Sequence, residues 1–256
     1  MLDHALYPLL QSAYRKSHST ETALIKVQND ILMNMDRHQV TLLVLLDLSA
    51  AFDTIDHQVL LDRLRLSFGI RGYALQWIAS YLSDRTQRVS FENNFSQSRY
   101  LSYGVPQGSC LGPLLFTMYA SKLFDIIKGY LPQTHAYADD TQLYLSFKPD
   151  TTSSQSDAVY AMESCISAIR CWMIKHKLKV NDSKTEFMLI GTRQQLAKVD
   201  IKGLVVGDAT ISPVTAVKNL GSWFDENMNM GCHINKMCKT LSFHLYNIRR
   251  IRKYLS

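Results

Sequence analysis

Three aspartates carry the strongest chemical signal in this sequence. Asp139 and Asp140 sit side by side in "AYADDTQLYLSF" (136–147), an otherwise apolar run. Adjacent like charges repel, and burying a carboxylate without a partner is costly. Leu143, Leu145 and Phe147 alternate with Gln142, Tyr144 and Ser146, the period of a half-buried strand, so the two acids belong at the turn of a strand pair. Asp47 interrupts a second apolar run, "TLLVLLDLSAAFD" (41–53), which reads as a strand buried on both faces. If the two strands are neighbours in one sheet, three carboxylates converge at one edge. A divalent cation relieves their repulsion. Magnesium takes oxygen ligands octahedrally and shares its remaining positions with water and substrate phosphates. A pair of such ions lowers the pKa of an attacking hydroxyl and stabilises the leaving oxygen of a phosphoryl transfer. An Asp-Asp pair alone is ordinary turn chemistry; here the weight comes from its company.

The elements that must position these acids alternate in type. Asp56 can cap a helix through "HQVLLDRLRLSF", whose Val59, Leu60, Leu64 and Phe68 form one stripe. "YALQWIASYL" reads as a second helix, and "TQRVSFENNFSQSRYLSY" as a hairpin turning at Asn93–Asn94. A Gly/Pro cluster, "GVPQGSCLGP" (104–113), leads into one helix, "LLFTMYASKLFDIIK". After the polar loop "KPDTTSSQSD", Ser156 is expected to cap a long helix ending near Leu178. Strands follow at "EFMLIG" (186–191), at "LVVGDATISPV" (204–214, turning at Gly207–Asp208) and, as one short strand, at "VKNLGSWFD". The closing segment repeats Ile234, Met237, Leu241, Leu245, Ile248, Ile251 and Leu255 at helical spacing. This order is α+β.

Composition bounds the partners. The chain has 256 residues, 46% hydrophobic, enough for one large domain or two modest ones. Lys plus Arg is 28 against 22 for Asp plus Glu, a net charge of +6 that favours polyanions moderately. No apolar stretch reaches membrane-span length, and the start lacks the order of a signal peptide, so a soluble intracellular protein is expected. The five cysteines read as reduced thiols. Cys165/Cys171 and Cys232/Cys238 are spaced too widely for the usual zinc ligand pairs and fall in helical stretches.

"LDLSAAFDTIDH", "GVPQGSCLGPLLF", "AYADDTQLY", "LKVNDSKTEFMLIG" and "VKNLGSWFD" occur in the order of the successive palm motifs of reverse transcriptases. In detail they resemble the non-LTR (LINE-type, jockey-like) retrotransposon enzymes, from about Gln11, where "QSAYRKSHSTETAL" is similar to the family's "GFR…ST" segment, to about Asp225. Group II intron maturases share the Tyr-Ala-Asp-Asp box, but "DLSAAFDTIDH" is closer to the LINE form; telomerase-like enzymes usually lack the tyrosine found here at 137.

The resemblance implies a right-hand polymerase: partial fingers (1–39 and 57–108), a ferredoxin-like palm (40–56 and 109–228) and the start of a thumb (229–256). It implies RNA-directed DNA synthesis with two Mg2+ ions (Mn2+ as substitute), an RNA template, a DNA primer and deoxynucleoside triphosphates, in the nucleus or a cytoplasmic ribonucleoprotein. Asp47, Asp139 and Asp140 become the catalytic triad and metal ligands, joined by the Leu48 carbonyl. The Ala50 and Ala51 amides face the triphosphate. Phe52, five positions after Asp47, becomes the sugar gate that excludes a 2′-hydroxyl; without the motif it reads as a core aromatic. Gln107 lies against the nascent base pair, with Gly104, Pro106 and Gly108 shaping the backbone near the nucleic acid. Lys184 stands near the departing pyrophosphate, or is a surface lysine. Leu220 and Gly221 support the primer end, or belong to a simple core strand. Arg249, Arg250 and Arg252 touch duplex phosphates, or form a solvated helix face. Asp53 and Asp56 are read as helix N-terminal carboxylates.

Relatives carry more fingers sequence before the "GFR" segment, and neither an endonuclease domain nor a Cys/His knuckle is read here. A palm-centred fragment is therefore expected, with a catalytically inactive RNA or RNA–DNA-binding module as the alternative.

Overall fold

The apolar run at 40–46 forms a strand buried on both faces, and the rest of the fold is arranged around it. The computed structural model describes residues 8–48, 51–130 and 133–254. Along the chain lie α1 (Thr20–Asp36), β1 (Val40–Leu46), α2 (His57–Phe68), α3 (Gly72–Leu82), the two-residue strands β2 (Thr86–Gln87), β3 (Ser90–Phe91), β4 (Asn94–Phe95) and β5 (Arg99–Tyr100), then α4 (Gly112–Ala120) and α5 (Leu123–Ile127). There follow β6 (Gln133–Tyr137), β7 (Asp140–Phe147), α6 (Thr152–Lys175), β8 (Glu186–Ile190), α7 (Arg193–Leu196), β9 (Leu204–Val206), β10 (Ala209–Ile211), β11 (Ala216–Asn219), β12 (Ser222–Asp225) and α8 (Gly231–Ile251).

β1 lies antiparallel between β7 and β8, giving a sheet of order β6-β7-β1-β8. With helices before β6 and between β7 and β8, this is the split βαββαβ arrangement of ferredoxin-like folds. Strand period divides the β1 side chains between two cores. Val40, Leu42, Val44 and Leu46 pack with Leu60 of α2, Phe116 of α4, and Met162 and Ile169 of α6. Leu43 packs on the opposite face with Val27 and Ile31 of α1 and with Val217 and Phe224 of the β11–β12 hairpin. Each such side chain contributes roughly 1.5–3 kcal/mol by leaving water. The free edge of β6 is covered by residues 10–12: Gln11 bridges Ala136 in parallel, Ser12 donates its N–H to the Ala136 carbonyl (3.0 Å), and Ala136 donates to that of Leu10 (2.9 Å).

Asp56 caps α2 as expected, accepting from the Val59 N–H at 3.0 Å, and β9–β10 turns at Gly207–Asp208. Other boundaries differ for local reasons. α6 starts at Thr152 because the extended Thr151, not Ser156, offers its hydroxyl to a free helix N–H, that of Ser154. It ends at Lys175, before the left-handed Lys177, rather than near Leu178. The single helix expected after residue 113 is two, α4 and α5, broken around Ser121. The β3–β4 turn uses Glu92 and Asn93, both at positive φ, one residue earlier than read from sequence. Residues 217–225 form a hairpin and not one strand, since Leu220 (φ 45°) and Gly221 (φ 90°) make the two-residue turn. α8 carries its apolar stripe but none of its residues is buried. All five cysteines are free, and burial pushes the Cys165 thiol up to about 12. Among the described residues no helix is long and apolar enough to cross a membrane.

Candidate active site

The sheet topology delivers the three aspartates to one edge. β1 and β7 pair through Leu46↔Thr141, so the next residues outward are Asp47 on one strand and Asp140 on the other. β6 and β7 pair through Tyr137↔Asp140, leaving Ala138 and Asp139 as a two-residue turn at the same end. Ala138 adopts φ 58°, a conformation that favours glycine. The Gln11 side chain holds this turn on both sides: its Oε1 accepts from the Ala138 N–H (2.8 Å) and its Nε2 donates to the Ala138 carbonyl (3.0 Å).

The carboxylates feel one another. Burial raises Asp139 above the ordinary carboxylate range, and the Asp47 charge raises it further against a backbone hydrogen bond that lowers it. Asp140 is raised by loss of water, then by Asp139 and Asp47. Its side chain keeps exposed surface, yet the protein around it displaces enough water for this effect. Asp47 is held by the segment entering β8. Asn181 donates its backbone N–H to the Asp47 carbonyl (2.9 Å) and its Nδ2 to Oδ2 (3.2 Å), and Lys184 Nζ lies 3.6 Å from the same Oδ2. Lys184 is two-thirds exposed, so the pair contributes at most about 1 kcal/mol. Among the described residues no three acidic, His or Cys side chains stand close enough together to hold a metal ion as they are placed. The acids share an edge, and Lys184 neutralises part of their charge.

This arrangement has a consequence for the metal-free protein. A carboxyl whose folded-state pKa is raised destabilises the fold once ionised. That penalty is absent below the unfolded value, near 4, and complete above the raised one. Asp140→Asn is therefore expected to raise the melting temperature at neutral pH without metal, the difference from wild type closing as pH falls below the carboxylate range. Thermal denaturation between pH 3 and 7.5 checks this; a variant less stable than wild type at neutral pH would show that Asp140 is favourably paired.

A second wall is built by bolting residues 104–105 onto residues 52–57. Gly104 donates to the Ile55 carbonyl (2.8 Å), Val105 to that of Phe52 (2.9 Å), and His57 Nε2 meets the Gly104 carbonyl (2.8 Å). A Cβ on Gly104, at φ 84°, would lie 2.9 Å from the Asp53 carbonyl oxygen, so the close approach requires glycine. Phe52 is half-buried, its ring 4.9 Å from that of Phe116 and tilted 35°. Gln107 is exposed and donates Nε2 to both carboxylate oxygens of Asp53 (2.9 and 3.0 Å). The reading of Asp53 as a helix N-terminal acid is corrected here: α2 begins only at His57, and Asp53 holds Gln107. Gly108 is exposed at φ 75°. Leu48 and Ala51 are buried, Leu48 bridging Val180; Ala50 lies outside the described residues.

A cavity of about 390 Å³ joins the acids to the β11–β12 turn, lined by Asp47, Asp140, Lys184, Lys218, Asn219 and Leu220 among others. Gln142, 1% exposed, also lines it; both ends of its amide and the Asn219 Nδ2 are buried without a hydrogen-bond partner among the described residues. Such a floor suits a polar ligand. Leu220 thus stands across a cavity from Asp47 and Asp140, with Gly221 beside it in the turn. Arg249 and Arg250, in the last turn of α8, and Arg252 just beyond it are exposed on a helix whose contacts run to β12. Sequence reasoning missed Gln11, Asn181 and the Asp53–Gln107 pair. Gln11 and Asn181 lay inside quoted motifs without a role, and the last pair spans 54 residues.

The sequence profile described as "Reverse transcriptase (RNA-dependent DNA polymerase)" matches residues 1–224. The chain belongs to the reverse transcriptase family. This domain is 26% identical over 242 residues to the probable RNA-directed DNA polymerase from transposon BS of Drosophila melanogaster, covering 91% of the chain and 25% of that protein. It is 27% identical over 235 residues to the RNA-directed DNA polymerase from mobile element jockey of the same species, covering 90% and 24%. The domain thus spans about a quarter of these curated relatives. Apo telomerase of Candida tropicalis, truncated from its C-terminal domain, superposes with a TM-score of 0.57 at 15% identity, over 85% of this chain and 40% of that one. A second apo structure of that telomerase gives 0.56 at 13% identity, over 86% and 36%. At such identities the likeness shows the fold, that of a right-hand polymerase. The relationship to transposon polymerases read from the five motifs is borne out, and reverse transcriptases generally use divalent metal ions.

Proposed function

We propose that this reverse transcriptase domain forms the catalytic palm of a non-LTR retrotransposon enzyme and adds deoxynucleotides to a DNA primer on an RNA template. The observation that carries the proposal is the meeting of Asp47, Asp139 and Asp140 at one sheet edge, where the Asp47 charge raises both Asp139 and Asp140 and the Asp139 charge raises Asp140 further. Their hard oxygen donors, short of compensating charge, fit Mg2+, with Mn2+ as substitute. Asp47, Asp139, Asp140 and the Leu48 carbonyl would hold two ions. Bound there, the metal supplies an activated primer 3′-hydroxyl and charge neutralisation at the leaving oxygen.

The other roles belong to the chain itself. Lys184, beside Asp47, places a mobile ammonium where pyrophosphate departs. Ala50 and Ala51 offer backbone amides to the triphosphate, and Phe52, braced by Phe116, lies under the sugar. Gln107 turns from Asp53 toward the nascent base pair, with Gly108 keeping the backbone close to it. Leu220, across the cavity from Asp47 and Asp140, and Gly221 beside it in the turn support the primer end. Arg249, Arg250 and Arg252 add salt-dependent contacts to duplex phosphates. In this reading residues 1–39 and 57–108 are fingers, 40–56 and 109–228 palm, and 229–256 the start of the thumb.

The test is primer extension by the chain on an RNA template with deoxynucleoside triphosphates and Mg2+ or Mn2+. Metal-dependent extension is expected. Tight duplex binding with no extension under either metal would favour the binding-module reading.

A further inference from the structure

Asp139 lies in a turn whose first residue is under backbone strain. Ala138 stands at φ 58°, a left-handed conformation that crowds the Cβ of any non-glycine residue. Tyr137 and Asp140 pair across the turn, so the position of Asp139 depends on that single left-handed residue. Residues 10–12 lie against the β6 edge beside it, but their backbone pairing ends with Ser12 and Ala136. Beyond that point the Gln11 side chain continues the pairing in place of a backbone. Its primary amide accepts from the Ala138 N–H at 2.8 Å and donates to the Ala138 carbonyl at 3.0 Å, as the neighbouring residue of a strand would. Oε1 also accepts from the Ala13 N–H at 3.0 Å, fixing the orientation of the amide. Gln11 is 1% exposed, so water does not compete for these bonds. A hydrocarbon of equal length would leave both polar groups of Ala138 unanswered.

We propose that Gln11 is a positioning residue of the polymerase site, locking Ala138 in its left-handed conformation so that the Asp139 carboxylate is held ready for a divalent cation. The proposal rests on the reading of Asp139 as a metal ligand. It acts across 127 residues of sequence, and the amide bridges the two polar groups of one peptide-bonded residue, a role neither glutamate nor methionine can fill.

The experiment is a Mn2+ titration of the whole chain by calorimetry, with thermal melts alongside, for wild type, Gln11→Met, Asp139→Asn and the double variant. Groups that orient metal ligands typically change affinity by about ten- to a hundredfold. Gln11→Met is expected to weaken Mn2+ binding about tenfold, and to change it less than twofold in the Asp139→Asn background, because its effect runs through Asp139. A purely structural role would lower the melting temperature in both backgrounds and leave the affinity unmoved. Wild-type affinity in a folded Gln11→Met protein, with Asp139→Asn weakened, overturns the proposal alone. Unchanged binding in Asp139→Asn overturns the metal reading beneath it. If Gln11→Met does not fold, the comparison moves to Ala138→Gly, which removes the strain. Glycine there is equally free to leave the left-handed region, so adding Gln11→Met to it is still expected to weaken binding, and equal affinity of the two proteins overturns the proposal.

Discussion

Asn at position 47 or at position 139 is expected to lower metal-dependent nucleotide incorporation by about a thousandfold, roughly 4 kcal/mol in barrier, while the protein stays folded. The two residues reach the same edge by different routes, Asp47 as the continuation of β1 and Asp139 in the β6–β7 turn, so losing either leaves a donor set with one carboxylate fewer on one side. Asn keeps size and one acceptor oxygen but removes the charge that opposes a divalent ion. Folding is expected to survive because neither residue belongs to the cores on the two faces of β1. Asp47→Asn also removes the charge that Lys184 faces, a partly exposed pair whose loss costs little. Single-turnover extension with saturating primer–template measures the loss. Activity within tenfold of wild type in either variant would remove that residue from the chemistry.

Phe52→Val is expected to raise the ratio of ribonucleotide to deoxynucleotide incorporation by roughly ten- to a hundredfold, the range available to steric discrimination in a pocket. The ring rests on Phe116 at 4.9 Å and is only half-buried, so one side packs and the other is open. Valine keeps an apolar surface and removes the ring that would occupy the place of a 2′-hydroxyl. Because the site is half-buried, the truncation is expected to cost about 1–2 kcal/mol of stability, less than a full core cavity. Selectivity is a difference between two transition-state energies, and general destabilisation lowers both rates alike. The ratio of the two kcat/KM values is therefore the informative quantity. A fixed ratio in a folded Phe52→Val protein would make Phe52 a core aromatic braced on Phe116 and nothing more.

What could be read from residues alone was what short-range pattern controls. The uninterrupted run at 40–46 required a strand covered on both faces, and alternation after Asp140 required its partner, so the convergence of the acids followed once the two strands were adjacent. Asp56 as a cap and Gly207–Asp208 as a turn were equally local. Boundaries failed where competing local signals existed: the Ser/Thr tract before α6 offered several hydroxyls, and the one used, that of Thr151, starts the helix early enough to bring Gln155 onto the buried face with Ala158 and Met162. Positive φ at Leu220, unusual for leucine, hid the β11–β12 hairpin. The support around the acids was illegible for another reason. Gln11 against Ala138, Asn181 against Asp47 and Gln107 against Asp53 are polar contacts between distant segments, and no periodicity encodes them.

The claim that the three aspartates hold a divalent cation is tested most directly by Mn2+ calorimetry on the isolated chain, comparing wild type with Asp47→Asn and Asp139→Asn at neutral pH and fixed ionic strength. The account predicts measurable binding by wild type, weakened at least tenfold by each substitution, with the Asp140→Asn protein gaining less thermal stability from added Mn2+ than wild type does. Mn2+ affinity that is the same in wild type, Asp47→Asn and Asp139→Asn would contradict it.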